Sequence, residues 1–149
     1  MHPDASLTLL TAVQSHGQGL ETVLAQIVAQ EVGMHPDTVE VRHGDTAFSP
    51  FGFGTFASRS LVFAGGAAQA AARELAAKLR RLGAHVLQAE GSSVELRDGA
   101  AWAGAASVPL ADLAHGALLR GERLPHGEPP GLETRATYSP PEDGGVFSY

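Results

Sequence analysis

Two short loops carry the residues whose types and spacing could do chemistry. In the longer stretch, SPFGFGTFASRS at 49–60, Gly52 and Gly54 permit positive φ and a close approach of backbone to a ligand. Hydroxyl side chains and Arg59 lie beside the N–H groups of a helix that we predict to begin there, so the stretch could form a cradle for an anion. The same composition is typical of a turn and a helix N-cap, and taken alone the stretch favours that simpler interpretation.

The second loop is Gly17-Gln18-Gly19, which follows one predicted strand and precedes a predicted helix. An amide held between two glycines can offer both a donor and an acceptor to a ligand. In a mixed sheet, both loops could present N–H groups at one edge, where ligands of such folds commonly bind. For Gln18 alone, a solvated turn residue is the simpler interpretation.

Other chemistries have weaker support in the sequence. The seven histidines show no H-x-H or H-x-x-x-H spacing, and there is no cysteine, which argues against a zinc or iron site with protein ligands. Asp45, two residues after His43, is interpreted as a turn or capping group. Glu21 could serve as a base, but at the start of a predicted helix it is better interpreted as a complement to the helix dipole.

Composition limits the class of protein. A chain of 149 residues with 44% hydrophobic residues is typical of one globular domain with a real core. Its net charge of -6 and scattered basic residues argue against a nucleic-acid partner. No apolar stretch is long enough for a membrane span and the N-terminus lacks the layout of a signal peptide, so we expect a cytoplasmic protein.

The elements that must position the two loops predict an α+β fold, a mixed sheet with one long and two shorter helices. The predicted strands are 6–12, 39–43, 94–100 with a hairpin partner around Trp102, and 132–138. The predicted helices are 20–32 with Gly33 as the stop, about 58–88 and a short one from Pro109. Gly65-Gly66 predicts close packing of another backbone against the long helix. The predicted tail at 139–145 is rich in turns, and 146–149 predicts the start of a further element.

Four motifs follow one another along the chain: GQGLET at 17–22, AQI at 25–27, GDT at 44–46 and GFGTFASRS at 52–60. Their order and spacing resemble the molybdenum-binding large subunit of the xanthine oxidase and aldehyde oxidase family. The resemblance is closest to the carbon monoxide dehydrogenase branch, which 131–133 and 138–141 also resemble. The likeness covers nearly the whole chain.

That resemblance implies a molybdenum hydroxylase that binds molybdenum through molybdopterin, often as molybdopterin cytosine dinucleotide. It places Gln18 against the cofactor near the metal, and it places the backbone and hydroxyls of the second loop on pterin or phosphate. The implied cofactor-binding residues are Gly17, Gln18, Gly19, Gly54, Thr55, Phe56, Ala57, Ser58 and Arg59. The implied partners are the remainder of the large subunit and separate iron-sulfur and FAD subunits, and the implied metal ligands come from the cofactor.

The departures from the family pattern matter as much as the likeness. The family's catalytic glutamate lies in a Gly-x-Gly-Glu motif, which this sequence does not contain. We therefore expect one segment of a molybdopterin-binding domain, incomplete for catalysis alone, in which 1–90 form the cofactor-loop core and 91–149 a hairpin, a short helix and a tail. The alternative is a free-standing, non-catalytic domain that binds a partner or carries the cofactor.

Overall fold

The computed structural model describes residues 1–141. In chain order its strands and helices are β1 (Leu7–Leu10), α1 (Leu20–Val32), β2 (Val39–Arg42), α2 (Gly66–Leu87), β3 (Val94–Arg97), β4 (Ala100–Ala103), β5 (Ala106–Pro109) and α3 (Leu110–Leu119). A π-helical turn, Leu61–Gly65, leads directly into α2. The predicted α+β class, with one long and two shorter helices, is confirmed. The element predicted at 146–149 and the end of the predicted tail lie outside the described residues.

The strands form two small sheets, whereas the sequence analysis expected a single mixed one. Strand β1 pairs in parallel with β2, with Leu7 opposite Val39, and α1 makes the crossover between them. Strands β3, β4 and β5 form an antiparallel meander, with Val94 opposite Ala103 and Ala101 opposite Val108. The predicted hairpin around Trp102 is therefore present, and β5 extends it. The two sheets stay separate because α2 lies between β2 and β3 in the chain and packs against both α1 and the meander.

The core lies between the helices and the two sheets. Helix α1 places Leu24 and Val32 in it and α2 places Leu79 in it, and each of these three side chains is fully buried. The meander contributes Ala101 and α3 contributes Leu110, both also inaccessible to solvent. Burial of this apolar surface is the main term that stabilises the arrangement of the helices, and it fixes the start of α1 relative to the start of α2.

Gly33 joins the end of α1 to the meander. Its φ of 73° ends the helix in the left-handed region, as the sequence predicted for this position. Its carbonyl accepts a hydrogen bond from Gly99 N–H at 2.8 Å. A Cβ atom at Gly33 would overlap the backbone of Leu96, so no larger residue fits without movement of β3.

Residues 131–138, called here the C-terminal strap, lie across the helices. The strand predicted at 132–138 is wrong, because helix carbonyls and the N-terminal residue take its hydrogen bonds in place of a neighbouring strand. Gly131 N–H donates to the Ala117 carbonyl in α3 (3.3 Å) and Thr134 Oγ1 donates to the Ala71 carbonyl in α2 (2.9 Å). The Met1 nitrogen donates to the Leu132 carbonyl at 3.1 Å, and Leu132 is 1% exposed.

The glycine pair at the start of α2 is closely packed, but side chains make the contact. A Cβ atom at Gly65 would lie 3.3 Å from the Ile27 side chain of α1, and one at Gly66 would overlap the ring of Tyr138 at the end of the strap. The prediction of a close neighbour holds, and the prediction that the neighbour is backbone is wrong. Small residues here let α1 and the strap approach the helix that follows the second loop.

Candidate functional site

The first predicted loop lies between β1 and α1. Gly17 and Gly19 have φ of 91° and 74°, and a Cβ atom on either would meet no atom within 4 Å. Gly19 is the N-cap residue of α1 and has no side chain that could accept a hydrogen bond from the first-turn N–H groups of the helix. Gln18 is exposed, and its Oε1 accepts a hydrogen bond from His16 N–H. Its Nε2 donors remain at the surface.

The second predicted loop contains an unusual backbone. Gly54 has φ of 75°, and the non-glycine residues Ala57 and Ser58 have φ of 50° and 54°. Two consecutive left-handed residues that carry a Cβ are strained, and such strain is concentrated at functional sites. The turn is closed by Arg59 N–H, which donates to the Phe56 carbonyl at 3.2 Å. Within residues 1–141 the N–H groups of Ala57 and Ser58 donate to no acceptor, and both residues are exposed.

Thr55 brings the two loops together. Its Oγ1 donates to the Gln14 carbonyl at 2.6 Å and accepts from Gln14 N–H at 2.9 Å, across 41 residues of sequence. The same Oγ1 accepts a hydrogen bond from Ser60 Oγ at 3.0 Å. Gln14 leads directly into the first loop, so the juxtaposition predicted from the sequence is present, although its chemical basis was not predicted.

Arg59 supplies the positive charge of this surface. Its guanidinium carbon lies 4.2 Å from the ring centroid of Phe63, 4.9 Å from that of Phe56 and 5.6 Å from that of Phe53. Rings at these distances attract a cation. Within the described part of the chain Arg59 makes no ion pair with a carboxylate, so its charge is not cancelled beside the second loop.

A hydrogen bond between a carboxylate and an imidazole near the first loop was not predicted. Glu21 Oε1, in the first turn of α1, lies 2.9 Å from His43 Nε2, at the end of β2. The hydrogen bond with His43, followed by those from the Glu21 N–H and the Ser15 hydroxyl, lowers the pKa of Glu21 to about 2. A carboxyl group with so low a pKa is a poor proton acceptor, which argues against Glu21 as a base. The only sequence signal for the pair is that Glu21 lies within the GQGLET motif and His43 directly precedes the GDT motif.

Asp45 serves the turn that was predicted for it. Its Oδ1 accepts from Ala47 N–H at 2.8 Å, and its carbonyl accepts from Ser49 N–H at 2.9 Å. A shallow cleft of about 300 Å³ beside this turn is lined by β2 and the start of the long loop, and none of the nine predicted site residues lines it. Among residues 1–141 no three His, Asp or Glu side chains are grouped closely enough to hold a metal ion.

The bonds between Thr55 and Gln14 thus place the second loop beside the residues that lead into the first. Gly17, Gln18 and Gly19 follow Gln14 in the chain, and Thr55 belongs to the second loop. The surface offers backbone donors at left-handed positions, an exposed amide and one unpaired guanidinium. Such a donor-rich, positively charged surface fits an anionic ligand, phosphate above all. No helix within the described residues has the length and apolar character that crossing a membrane requires.

Comparison with known proteins gives consistent matches. The family model described as "Molybdopterin cofactor-binding domain" matches residues 1–149. The carbon monoxide dehydrogenase large chain of Hydrogenophaga pseudoflava is 36% identical over 144 residues, which are 95% of this chain and 18% of that protein. The 6-hydroxypseudooxynicotine dehydrogenase complex subunit gamma of Paenarthrobacter nicotinovorans is 46% identical over 93 residues, 62% of this chain and 12% of that protein.

Solved structures agree with the sequence matches. Quinoline 2-oxidoreductase from Pseudomonas putida 86 superposes with a TM-score of 0.85 at 31% identity, over 93% of this chain and 18% of that one. Carbon monoxide dehydrogenase from Oligotropha carboxidovorans superposes with a TM-score of 0.82 at 32% identity, over 95% of this chain and 18% of that one. The chain thus spans less than a fifth of the length of each of these proteins.

Proposed function

The chain belongs to the molybdopterin cofactor-binding domain family, and from that premise we propose that it holds the molybdenum cofactor within a hydroxylase of the xanthine oxidase and carbon monoxide dehydrogenase type. The observation that carries the proposal is the junction at Thr55, which joins the loop of Gly17–Gly19 to that of 54–59. On this proposal, one ligand contacts both loops at once. Each loop alone is compatible with an ordinary turn.

The donors on this surface fit the phosphate-bearing end of the cofactor. In the proposal, the N–H groups around Ala57 and Ser58 bind phosphate, and Arg59 adds charge. The glycines let the ligand approach the backbone, and the Gln18 amide contacts the cofactor near the metal. The full set proposed to hold the cofactor is Gly17, Gln18, Gly19, Gly54, Thr55, Phe56, Ala57, Ser58 and Arg59. The bound cofactor supplies the redox chemistry, and the protein supplies position and charge.

We further propose that the cofactor is molybdopterin cytosine dinucleotide. An added nucleotide brings a second phosphate, and the two loops offer more than one position for an anion because each has its own left-handed backbone and helix start. The half-buried guanidinium of Arg59, which makes no ion pair with a carboxylate within the described residues, is suited to the more highly charged form.

The proposed context is a larger enzyme. Residues 1–90 act as the cofactor-loop core and 91–149 as its support, the remainder of a large subunit covers the cofactor, and iron-sulfur and FAD subunits exchange electrons with it. This assignment rests on the short coverage of the relatives, 12–18% of their length, and on the absence of a Gly-x-Gly-Glu motif from the sequence. On this proposal the chain alone turns over no substrate.

Cofactor retention tests the proposal. The chain is expressed in a host that makes the cytosine dinucleotide form, or is mixed with cofactor released from a donor molybdoenzyme. After gel filtration, we expect molybdenum and pterin to co-elute with the protein and acid hydrolysis to release cytidine monophosphate. Replacement of Gln18→Ala should lower the retained molybdenum several-fold, because it removes an exposed amide donor from the surface.

The matched control is Gln30→Ala, which removes the same side chain from an exposed position near the other end of α1. It should retain as much molybdenum as the unmodified chain. Absence of molybdenum and pterin from the unmodified chain would contradict the proposed function. Retention of pterin without cytidine would contradict only the dinucleotide form.

A further inference from the structure

We propose that the Thr55 hydroxyl is a positioning group, which locks the two loops together and does not itself touch the cofactor. This inference rests on the proposed function and refines the role of Thr55 within the proposed cofactor-binding set: its hydroxyl supports the residues that make the contacts. The lock sets the distance between the loop of Gly17–Gly19 and the donors of Ala57 and Ser58.

The hydrogen-bonding capacity of the hydroxyl is fully used. A threonine hydroxyl has one donor and two acceptor sites. The donor goes to the Gln14 carbonyl at 2.6 Å, and the two acceptor sites take Gln14 N–H at 2.9 Å and Ser60 Oγ at 3.0 Å. A direct bond to a phosphate or pterin would have to break one of these, so contact with the cofactor would open the junction.

Ser60 supports the same conclusion independently. Its backbone is helical (φ −56°, ψ −49°), and its side chain makes no hydrogen bond to an N–H group of the helix start. It is 7% exposed, and its hydroxyl donates to Thr55. A buried hydroxyl from the helix start therefore holds the Thr55 oxygen in place.

Ser58 provides the contrast. It lies three residues after Thr55 in the same loop, with an exposed side chain at φ of 54°. Within residues 1–141 its hydroxyl makes no hydrogen bond. If a hydroxyl of this loop contacts the cofactor directly, the geometry points to Ser58.

Loss of the lock should weaken cofactor binding without removal of any contact. Gln14 is three residues before Gly17, so release of its backbone lets the first loop move relative to the second. One or two hydrogen bonds of this kind correspond to roughly tenfold in an equilibrium constant. A ligand that spans both loops would then bear the cost of ordering them.

The test measures hydrogen exchange and cofactor retention in the same variants. In the cofactor-free chain, Thr55→Val should speed exchange of the Gln14 N–H about tenfold, because its acceptor is gone and the shape of the side chain is kept. The same variant should retain less molybdenum cofactor. Thr55→Ser, which keeps the hydroxyl, should restore both measurements, and Ser58→Ala should leave Gln14 exchange unchanged.

Two outcomes would overturn the inference. In one, Thr55→Val loses the cofactor while Gln14 exchange stays at its original rate, which would make Thr55 a direct contact and leave the proposed function intact. In the other, the Gln14 N–H of the unmodified chain exchanges as fast as the Gly17 N–H, once both rates are corrected for the intrinsic exchange rate of their sequence. This second measurement needs no variant that might misfold. Tenfold slower exchange at Gln14 supports the lock even if the chain retains no molybdenum, a result that would contradict only the proposed function.

Discussion

Glu21 and His43 illustrate how single side chains hold the two ends of this site together. The carboxylate sits in the first turn of α1 and the imidazole at the end of β2, with 2.9 Å between Oε1 and Nε2. The pair thus fixes the start of the helix that follows the first loop against the chain that leads into the second. This link between two elements, together with the low pKa of Glu21 (about 2), makes the pair a structural contact.

This contact predicts a specific acid sensitivity. The pKa of Glu21 falls from 4.5 to about 2 on folding, so its contribution to stability is complete above pH 4.5 and is lost as the pH falls toward 2. Glu21→Gln should therefore be less stable than the unmodified chain near neutral pH, and the difference should shrink through that window. Urea unfolding followed by circular dichroism at a series of pH values measures it.

Glu122→Gln is the control for charge alone, because Glu122 is an exposed glutamate far from the loops in sequence. Its stability should follow that of the unmodified chain across the same pH range. An unchanged pH profile for Glu21→Gln would show that the pair with His43 contributes nothing to stability.

At the scale of residues, the positions of the two loops could be predicted from the sequence better than the backbone conformations and hydrogen bonds within them. Gly17 and Gly54 could be placed in open turns because glycine tolerates the positive φ that they adopt. The left-handed conformations of Ala57 and Ser58 could not be predicted, because nothing in their residue type favours them. The bonds of Thr55 to Gln14 join positions 41 residues apart, and no local pattern specifies such a pair.

Among the elements, the end of α1 depends most visibly on one residue. Gly33 combines a φ of 73° with a position where any Cβ atom would overlap the Leu96 carbonyl group. Gly33→Ala should lower the free energy of unfolding by more than the roughly 1–2 kcal/mol that the left-handed backbone alone costs a residue with a Cβ. Chemical denaturation provides the measurement.

Gly104→Ala separates the cost of the left-handed backbone from the cost of the overlap with Leu96. Gly104 has φ of 59° in the turn between β4 and β5, and a Cβ atom there would meet nothing within 4 Å. This variant should show only the backbone penalty. Equal destabilisation by the two substitutions would mean that β3 moves aside at little cost and that Gly33 does not hold the meander against α1.

Helices and strands with a clear period of apolar residues could be predicted from the sequence. Segments whose conformation depends on contacts with distant parts of the chain could not. Val39–Arg42 alternates apolar and polar residues and forms a strand, and the apolar spacing of α1 gave its bounds closely. Strand β5, Ala106–Pro109, was missed because Ala, Ser and a terminal Pro carry little strand preference. The opposite error arose at 132–138, where Thr and Leu suggested a strand but the chain lies on helices.

For the molecule as a whole, the C-terminal strap closes the core. Leu132 is 1% exposed and lies among the buried residues, although no regular element contains it. Leu132→Ala should lower the free energy of unfolding by about 2–5 kcal/mol, the range for a buried leucine that leaves a cavity. Urea unfolding of the purified chain checks the prediction.

Leu119→Ala is the matched control, since the same atoms are removed from a side chain that is 62% exposed at the end of α3. Its effect should be within about 0.5 kcal/mol of zero. A similar small effect for Leu132→Ala would show that the strap rests on the helices without stabilising them.

The strap also has a consequence for the order in which the chain acquires its shape on the ribosome. Residues 7–42 contain both strands of the parallel sheet and the helix between them, so this unit can assemble early. The contact between Met1 and Leu132 spans 131 positions and must wait for the last of them. At about 5–20 residues per second, the roughly 90 residues between these events take several seconds to emerge. Helix α2 is complete at Leu87, so the face around Ala71 is uncovered for about the second half of that interval. During this stage the longest helix of the nascent polypeptide is open to contacts with other chains.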